Sequence, residues 1–104
     1  MVQEIHSYTE FKHIIGTNDK VVVDFYADWC GPCKKIAPFI KKLSEEYTKI
    51  IFIKVNVDNV SEITDVYNVK ALPTFMFFKK GQVQEQLTIV GSKTETISEV
   101  VGKF

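Results

Sequence analysis

The sequence is sparing with the residues that usually announce a chemistry. Of 104 residues only two are cysteine, two histidine, three proline and one tryptophan. His6 and His13 are the only histidines, they lie upstream of both cysteines, and six residues separate them. The histidine half of a zinc site has about three to five residues between its ligands, so this pair departs from that pattern. A surplus of charge is missing too, since 13 basic residues balance 13 acidic ones. No net field would draw the chain to nucleic acid or to an anionic membrane. No apolar run approaches the ~18 residues of a membrane span. No basic-then-apolar leader precedes the first strand-like stretch, and the cytoplasm is the expected compartment. Repeats, low-complexity tracts and linkers are absent, so one domain over residues 1–104 is expected. What remains is an ordinary globular composition, 45 % hydrophobic and 25 % charged, enough for one core.

The two cysteines are not scattered. They stand in Trp29-Cys30-Gly31-Pro32-Cys33, with two residues between them. With Pro32 in the first turn of a helix, where its missing N–H costs nothing, the thiols fall one turn apart. Positions one turn apart are roughly 5–6 Å from each other, inside the Cα window of about 4.4–6.8 Å that a disulfide accepts. A structural staple is a poor account of the pair, because closing a loop of about four residues removes only ~2 kcal/mol of unfolded-state entropy. A zinc site would need two further ligands. In a reducing compartment paired cysteines serve catalysis or metal more often than structure. Reversible thiol–disulfide chemistry is the reading the spacing favours.

The rest of the chain reads as a frame for that loop. Val2 to Ser7 is a short strand, and Ser7 or Thr9 caps a helix that buries Phe11, Ile14 and Ile15. After the loop Gly16–Asp19, the β-branched and aromatic run Val21–Tyr26 has the character of a strand covered on both faces. A long helix is expected from about Cys33 to Tyr47, with Ile36, Phe39, Ile40, Leu43 and Tyr47 as its stripe and Pro38 as a kink. Ile50–Val57 is a second apolar strand carrying Lys54. Asp58-Asn59 ends it, and a short helix through Ile63, Val66 and Tyr67 follows. Leu72-Pro73 leads into a strand Thr74–Phe78, Lys80-Gly81 turns into a strand Val83–Val90, and Gly91 breaks it. Lys93–Phe104 closes the chain as an amphipathic helix with Ile97, Val100 and Val101 inward. The order βαβαβαββα predicts an α/β fold: a mixed sheet, parallel where helices cross over and antiparallel at the hairpin, with helices on both faces. The cysteine loop then lies at the carboxyl end of a central strand, where open α/β sheets place their sites.

These residues carry a resemblance that covers essentially the whole length. Val23-Asp24-Phe25-Tyr26-Ala27, Trp29-Cys30-Gly31-Pro32-Cys33-Lys34, Ala37-Pro38, Lys54, Asp58, Leu72-Pro73-Thr74-Phe75 and Gly91 together resemble the thioredoxin family. A bare Cys-x-x-Cys is a weak signal. The five-residue loop, with an acid six residues before Cys30 and a proline about forty residues after Cys33, is a strong one. The resemblance implies the thioredoxin fold, a central mixed five-stranded sheet flanked by four helices.

Roles follow partly from chemistry and partly from the family. Cys30, ahead of a helix and partly exposed, is the expected nucleophile, its thiolate stabilised by unpaired N–H groups and the helix dipole. Cys33, one turn in and more covered, is the expected resolving thiol, and the pair is the expected redox disulfide, with Gly31 and Pro32 shaping the turn between them. Asp24, within a β-branched run, is costly to bury as an ion, so its pKa should rise towards neutrality. It would then accept the Cys33 proton, directly or through a water. The plainer alternative is a strand-end carboxylate that is merely solvated. By resemblance Lys54 lies near this acid and holds it partly ionised; otherwise it is an edge lysine. Also by resemblance, Pro73 is a cis proline facing the cysteines and keeping metal from them, and Leu72 offers backbone to an extended substrate. Trp29, Ala71, Leu72, Pro73, Val90 and Gly91 would form an apolar collar for substrate, although Leu72 and Val90 would serve equally as core. Tyr26 and Asp28 stand where some members carry Trp and Glu. Val60, Tyr67 and Ala71 stand where animal cytosolic members carry extra cysteines.

The function implied is general protein disulfide reduction by dithiol–disulfide exchange. No cofactor or metal is bound in this reading; reducing equivalents come from NADPH through thioredoxin reductase. Acceptors are of the peroxiredoxin, methionine sulfoxide reductase and ribonucleotide reductase classes, and the chain acts as a monomer. Disulfide oxidases and isomerases tend to have His in place of Pro32, and glutaredoxins usually carry Tyr in the loop. A binding module on the same fold, indifferent to its redox state, is the rival from a different class.

Overall fold

The structure, a computed structural model, describes residues 1–104. Strand β1 is Val2–Glu4, helix α1 Tyr8–Thr17, β2 Lys20–Tyr26, α2 Gly31–Glu46, β3 Ile51–Asn56 and α3 Ser61–Val66. Strand β4 is Thr74–Lys79, β5 Gln82–Val83, β6 Ile89–Val90 and helix α4 Thr94–Lys103. The sheet runs β1-β3-β2-β4-β5, with β6 also on β4. Strands β1, β3 and β2 are parallel, and β4 is antiparallel to β2, β5 and β6. The crossovers through α1 and α2 force the parallel pairs, and the Lys80-Gly81 turn, both residues at positive φ, permits the antiparallel one.

Alternation along the strands makes two cores. Val21, Val23 and Phe25 of β2 point with Ile53, Val55, Met76 and Phe78 to one face, where Phe11, Ile14, Ile15 and Ile63 cover them. Val22 points to the other face, with Phe52, Phe75 and Phe77, beneath Ile36, Ile40 and Leu43 of α2 and Ile97 and Val101 of α4. Asp24 and Tyr26 share the parity of Val22. The carboxyl of Asp24 is thereby committed to the face under α2.

The ends of α1 settle its cap. The Ser7 hydroxyl accepts the Glu10 N–H at 3.0 Å, and the Glu10 carboxylate accepts the His6 N–H at 2.7 Å, so Ser7 and not Thr9 begins the helix. Helix α2 starts at Gly31, two residues earlier than the periodicity predicts, with Cys30 as its N-cap and Pro38 inside it.

Two expectations are corrected. The strand Val83–Val90 is broken: Val83 pairs with Phe78 and Val90 with Thr74, while Glu85–Leu87 between them makes a short 3-10 turn. The polar run Gln84-Glu85-Gln86 has nothing apolar to bury on the outer edge of β4. The sheet is therefore six strands in number although five wide, because β5 and β6 follow one another along the same edge. The short helix expected through Tyr67 ends at Val66, with Tyr67 as its C-cap and Ile63 its one buried residue.

Candidate redox site

Strand β2 delivers the chain to the edge of the cores at Tyr26, and α2 begins at Gly31 after a short connection. Cys30 and Cys33 form a disulfide with a Cα separation of 5.3 Å, inside the window their spacing predicts. The Cys33 N–H, one of the N–H groups that the first turn of α2 leaves unpaired, donates to Cys30 Sγ at 3.2 Å. A negative charge on Cys30 sulfur would sit at the positive end of α2 and keep this donor. Exposure does not rank the two sulfurs in the disulfide form, because each cysteine residue is only 5 % exposed. The expectation of a partly exposed Cys30 is thus corrected for this state. Position on the helix is what separates them: Cys30 is the cap and Cys33 lies inside the first turn.

Beside the disulfide lies a groove of about 550 Å³ whose lining includes Trp29, Cys30, Gly31 and Pro32. Val57, Thr64, Val69, Lys70, Ala71 and Leu72 complete the lining. Trp29 is 70 % exposed, and its indole N–H donates to Asp58 Oδ2 at 2.9 Å. A large apolar side chain held open to solvent by a carboxylate is shaped for a partner rather than for the core. Leu72 packs against Ala27, Cys30 and Cys33. The Leu72–Pro73 peptide is cis. The Pro73 carbonyl accepts the Gly91 N–H at 2.8 Å, which ties the β6 end to this loop. Gly91 has φ of 102°, a conformation that a side chain resists. Val90 is 48 % exposed, so it is not a core residue.

Under α2 the second half of the site is electrostatic. Asp24 is 7 % exposed, and its Oδ1 has no hydrogen-bond partner. Burial pushes its carboxyl up to about 7; the Lys54 charge opposes the rise and the Glu4 charge adds to it. The solvated strand-end reading of Asp24 is therefore set aside. Lys54 stands opposite Asp24 in the register of β2 and β3, yet its ammonium lies 3.8 Å from Glu4 Oε1 and makes no ion pair with Asp24. It acts on Asp24 through its field. A cleft of about 640 Å³ opens onto Asp24 between Lys54 and the Lys34–Lys41 stretch of α2.

His6 and His13 are exposed, and no three His, Cys, Asp or Glu side chains converge as metal ligands. Four residues of the groove escaped the sequence reading: Val57, Thr64, Val69 and Lys70. So did Asp58 as the anchor of Trp29. A signal for Asp58 was present, since β2 and β3 are parallel and neighbours. Residues just past the end of one must then lie beside residues just past the end of the other.

Comparison with known proteins agrees with this geometry. A family model described as Thioredoxin matches residues 2–103. The chain belongs to the thioredoxin family. It is 44 % identical over 104 residues to thioredoxin 1 of Plasmodium falciparum, covering 100 % of this chain and 98 % of that one. It is also 44 % identical to a mitochondrial thioredoxin-2 of Schizosaccharomyces pombe, over 99 % of this chain and 76 % of the relative. A solved structure of Plasmodium falciparum thioredoxin superposes with a TM-score of 0.95, covering 99 % of both chains. As a thioredoxin-family protein the chain is a thiol–disulfide oxidoreductase, with Cys30 and Cys33 as its dithiol–disulfide pair. Its partners are, in general, disulfide-containing proteins and a reductase.

Proposed function

We propose that the chain carries electron pairs from an NADPH-dependent thioredoxin reductase to disulfide-bonded proteins, acting as a monomer in the cytoplasm. The observation that carries the proposal is the Cys30–Cys33 disulfide at the start of α2, with an N–H aimed at Cys30 sulfur and an apolar groove beside it. In the reduced protein Cys30 thiolate attacks one sulfur of a substrate disulfide. The Cys30–substrate bond forms as the substrate S–S bond breaks, and the first substrate thiolate leaves. Asp24, poised near neutrality, takes the Cys33 proton. Cys33 thiolate then attacks Cys30 sulfur, forming the intramolecular disulfide and releasing the second substrate thiolate. Two electrons have moved from the dithiol to the substrate, and the reductase returns them. Lys54 tempers the Asp24 carboxyl, while Gly31 and Pro32 set the turn. Trp29, Ala71, Leu72, Pro73, Val90 and Gly91 receive the substrate chain, with the backbone of Leu72 pairing to it as an added strand.

No ion or cofactor takes part in these steps. Suitable acceptors are the peroxiredoxin, methionine sulfoxide reductase and ribonucleotide reductase classes, whose turnover leaves a disulfide to be reduced. A cytoplasmic setting fits a chain whose only two cysteines are chemical rather than structural.

A coupled assay tests this reading. With NADPH, a thioredoxin reductase and insulin as disulfide substrate, NADPH consumption is expected to require this chain and both of its cysteines. A folded, reducible chain that leaves NADPH untouched in the presence of reductase and substrate contradicts the proposed electron path.

A further inference from the structure

One row of residues across the first three strands is charged. Glu4 of β1 stands opposite Lys54 of β3, and Lys54 opposite Asp24 of β2. Registered neighbours in parallel strands project to the same face, here the face beneath α2. The row runs from the sheet edge at Glu4 to the buried carboxyl at Asp24. Its middle member leans outward: Lys54 Nζ is 3.8 Å from Glu4 Oε1 and forms no ion pair with Asp24. Tyr26, on the same face two residues along β2, donates its hydroxyl to the same Glu4 oxygen at 2.6 Å. The Tyr26 ring lies 5.5 Å from Lys54 Nζ, a second attraction at the outer end of the row.

We propose that Glu4, fixed by Tyr26, is a positioning residue for disulfide exchange: it keeps the Lys54 ammonium at the edge of the sheet and away from Asp24. The proposal rests on the reading of Asp24 as acceptor of the Cys33 proton. An ammonium brought within about 4–6 Å of a carboxylate lowers its pKa by about one to three units. An ion pair with Lys54 would deepen the lowering that its field already exerts and leave Asp24 a weaker base at neutral pH, whereas the outward Lys54 leaves it near 7. The Glu4 charge acts in the same sense directly. The other charged groups on the Asp24 cleft are Lys34, Lys41 and Glu45 of α2 and the Met1 amino end. Cys33 joins them as a titrating thiol when reduced. Substitution at Glu4 alters none of these, so they form a constant background.

The test is a carboxyl NMR titration of Asp24 beside the pH profile of mixed-disulfide resolution, for Glu4→Gln and Tyr26→Phe. Gln keeps the shape of Glu4 and an oxygen for the Tyr26 hydroxyl, and loses only the charge. Glu4→Gln is expected to lower the Asp24 midpoint by about one pH unit, and Tyr26→Phe to lower it by less. The acid limb of the resolution profile should follow the midpoint. In a Lys54→Met background the same Glu4→Gln change should shift the midpoint far less. An Asp24 midpoint that does not respond to Glu4→Gln overturns the proposal, and an equal shift without Lys54 overturns the route through Lys54. A midpoint that moves while the resolution profile stays fixed upholds the hold of Glu4 on the row and instead removes Asp24 as proton acceptor.

Discussion

Replacing Cys33 by serine is expected to turn the protein from a catalyst into a trap. Cys30 keeps its place as N-cap of α2 and keeps the residue-33 N–H, a backbone donor that serine retains. It should therefore still attack substrate disulfides. The mixed disulfide then has no thiolate one helical turn away to resolve it. Well-placed intramolecular groups reach effective molarities of about 10⁵ M and above, which free thiols at laboratory concentration do not match. Turnover should fall by ~10³-fold or more on that comparison. Covalent adducts should accumulate through Cys30, visible on non-reducing gels and released by a strong reductant. Cys30→Ser should lose turnover as completely and accumulate no such adducts. Adducts that form with Cys30→Ser but not with Cys33→Ser would exchange the roles of nucleophile and resolving thiol between the two cysteines.

Asp24→Asn is expected to stabilise the fold strongly, and only above mildly acidic pH. In the unfolded chain this carboxyl titrates near its ordinary value of 3.8, and in the folded protein near 7, because burial disfavours its charge. Between those values the native state holds a proton that the unfolded state has released. Unfolding then releases protons, and stability falls as pH rises from about 4 to about 7 and levels off beyond. About three pK units correspond to roughly 4 kcal/mol. Asparagine is neutral throughout, so denaturant unfolding of the oxidised proteins should show little difference near pH 4 and a gap of about 4 kcal/mol near pH 8.5. The same variant should slow resolution, a case of function held at the expense of stability. Parallel stability curves for the two proteins would mean that Asp24 is solvated and would remove it from the proton path.

Much of this was legible because local rules and tertiary packing agree. The Cys-Gly-Pro-Cys turn, the apolar run of β2, the stripe of α2 and the Asp24 carboxyl embedded in a β-branched strand each carry their meaning in consecutive residues. What was not legible depends on edges and neighbours. The break at Gln84–Thr88 arises because an outer edge does not require a polar strand to stay paired. The partner of Lys54 is decided by β1 lying beside β3, which places Glu4 as close in the sheet as Asp24. The role of Asp58 needs the parallel register of β2 and β3 before its distance from Trp29 can be judged. The equal covering of Cys30 and Cys33 belongs to the closed disulfide, a state that helix position alone does not describe.

The equilibrium reduction potential of the Cys30–Cys33 pair, measured against a thiol redox buffer, decides whether the chain is a reductant. A reductant of the thioredoxin type should poise near the known thioredoxin value of about −270 mV. A value between about −180 and −120 mV, the range of disulfide isomerases and oxidases, would contradict that role and make the chain a source of disulfides. A pair that exchanges with no thiol at any potential would leave only a binding module on this fold.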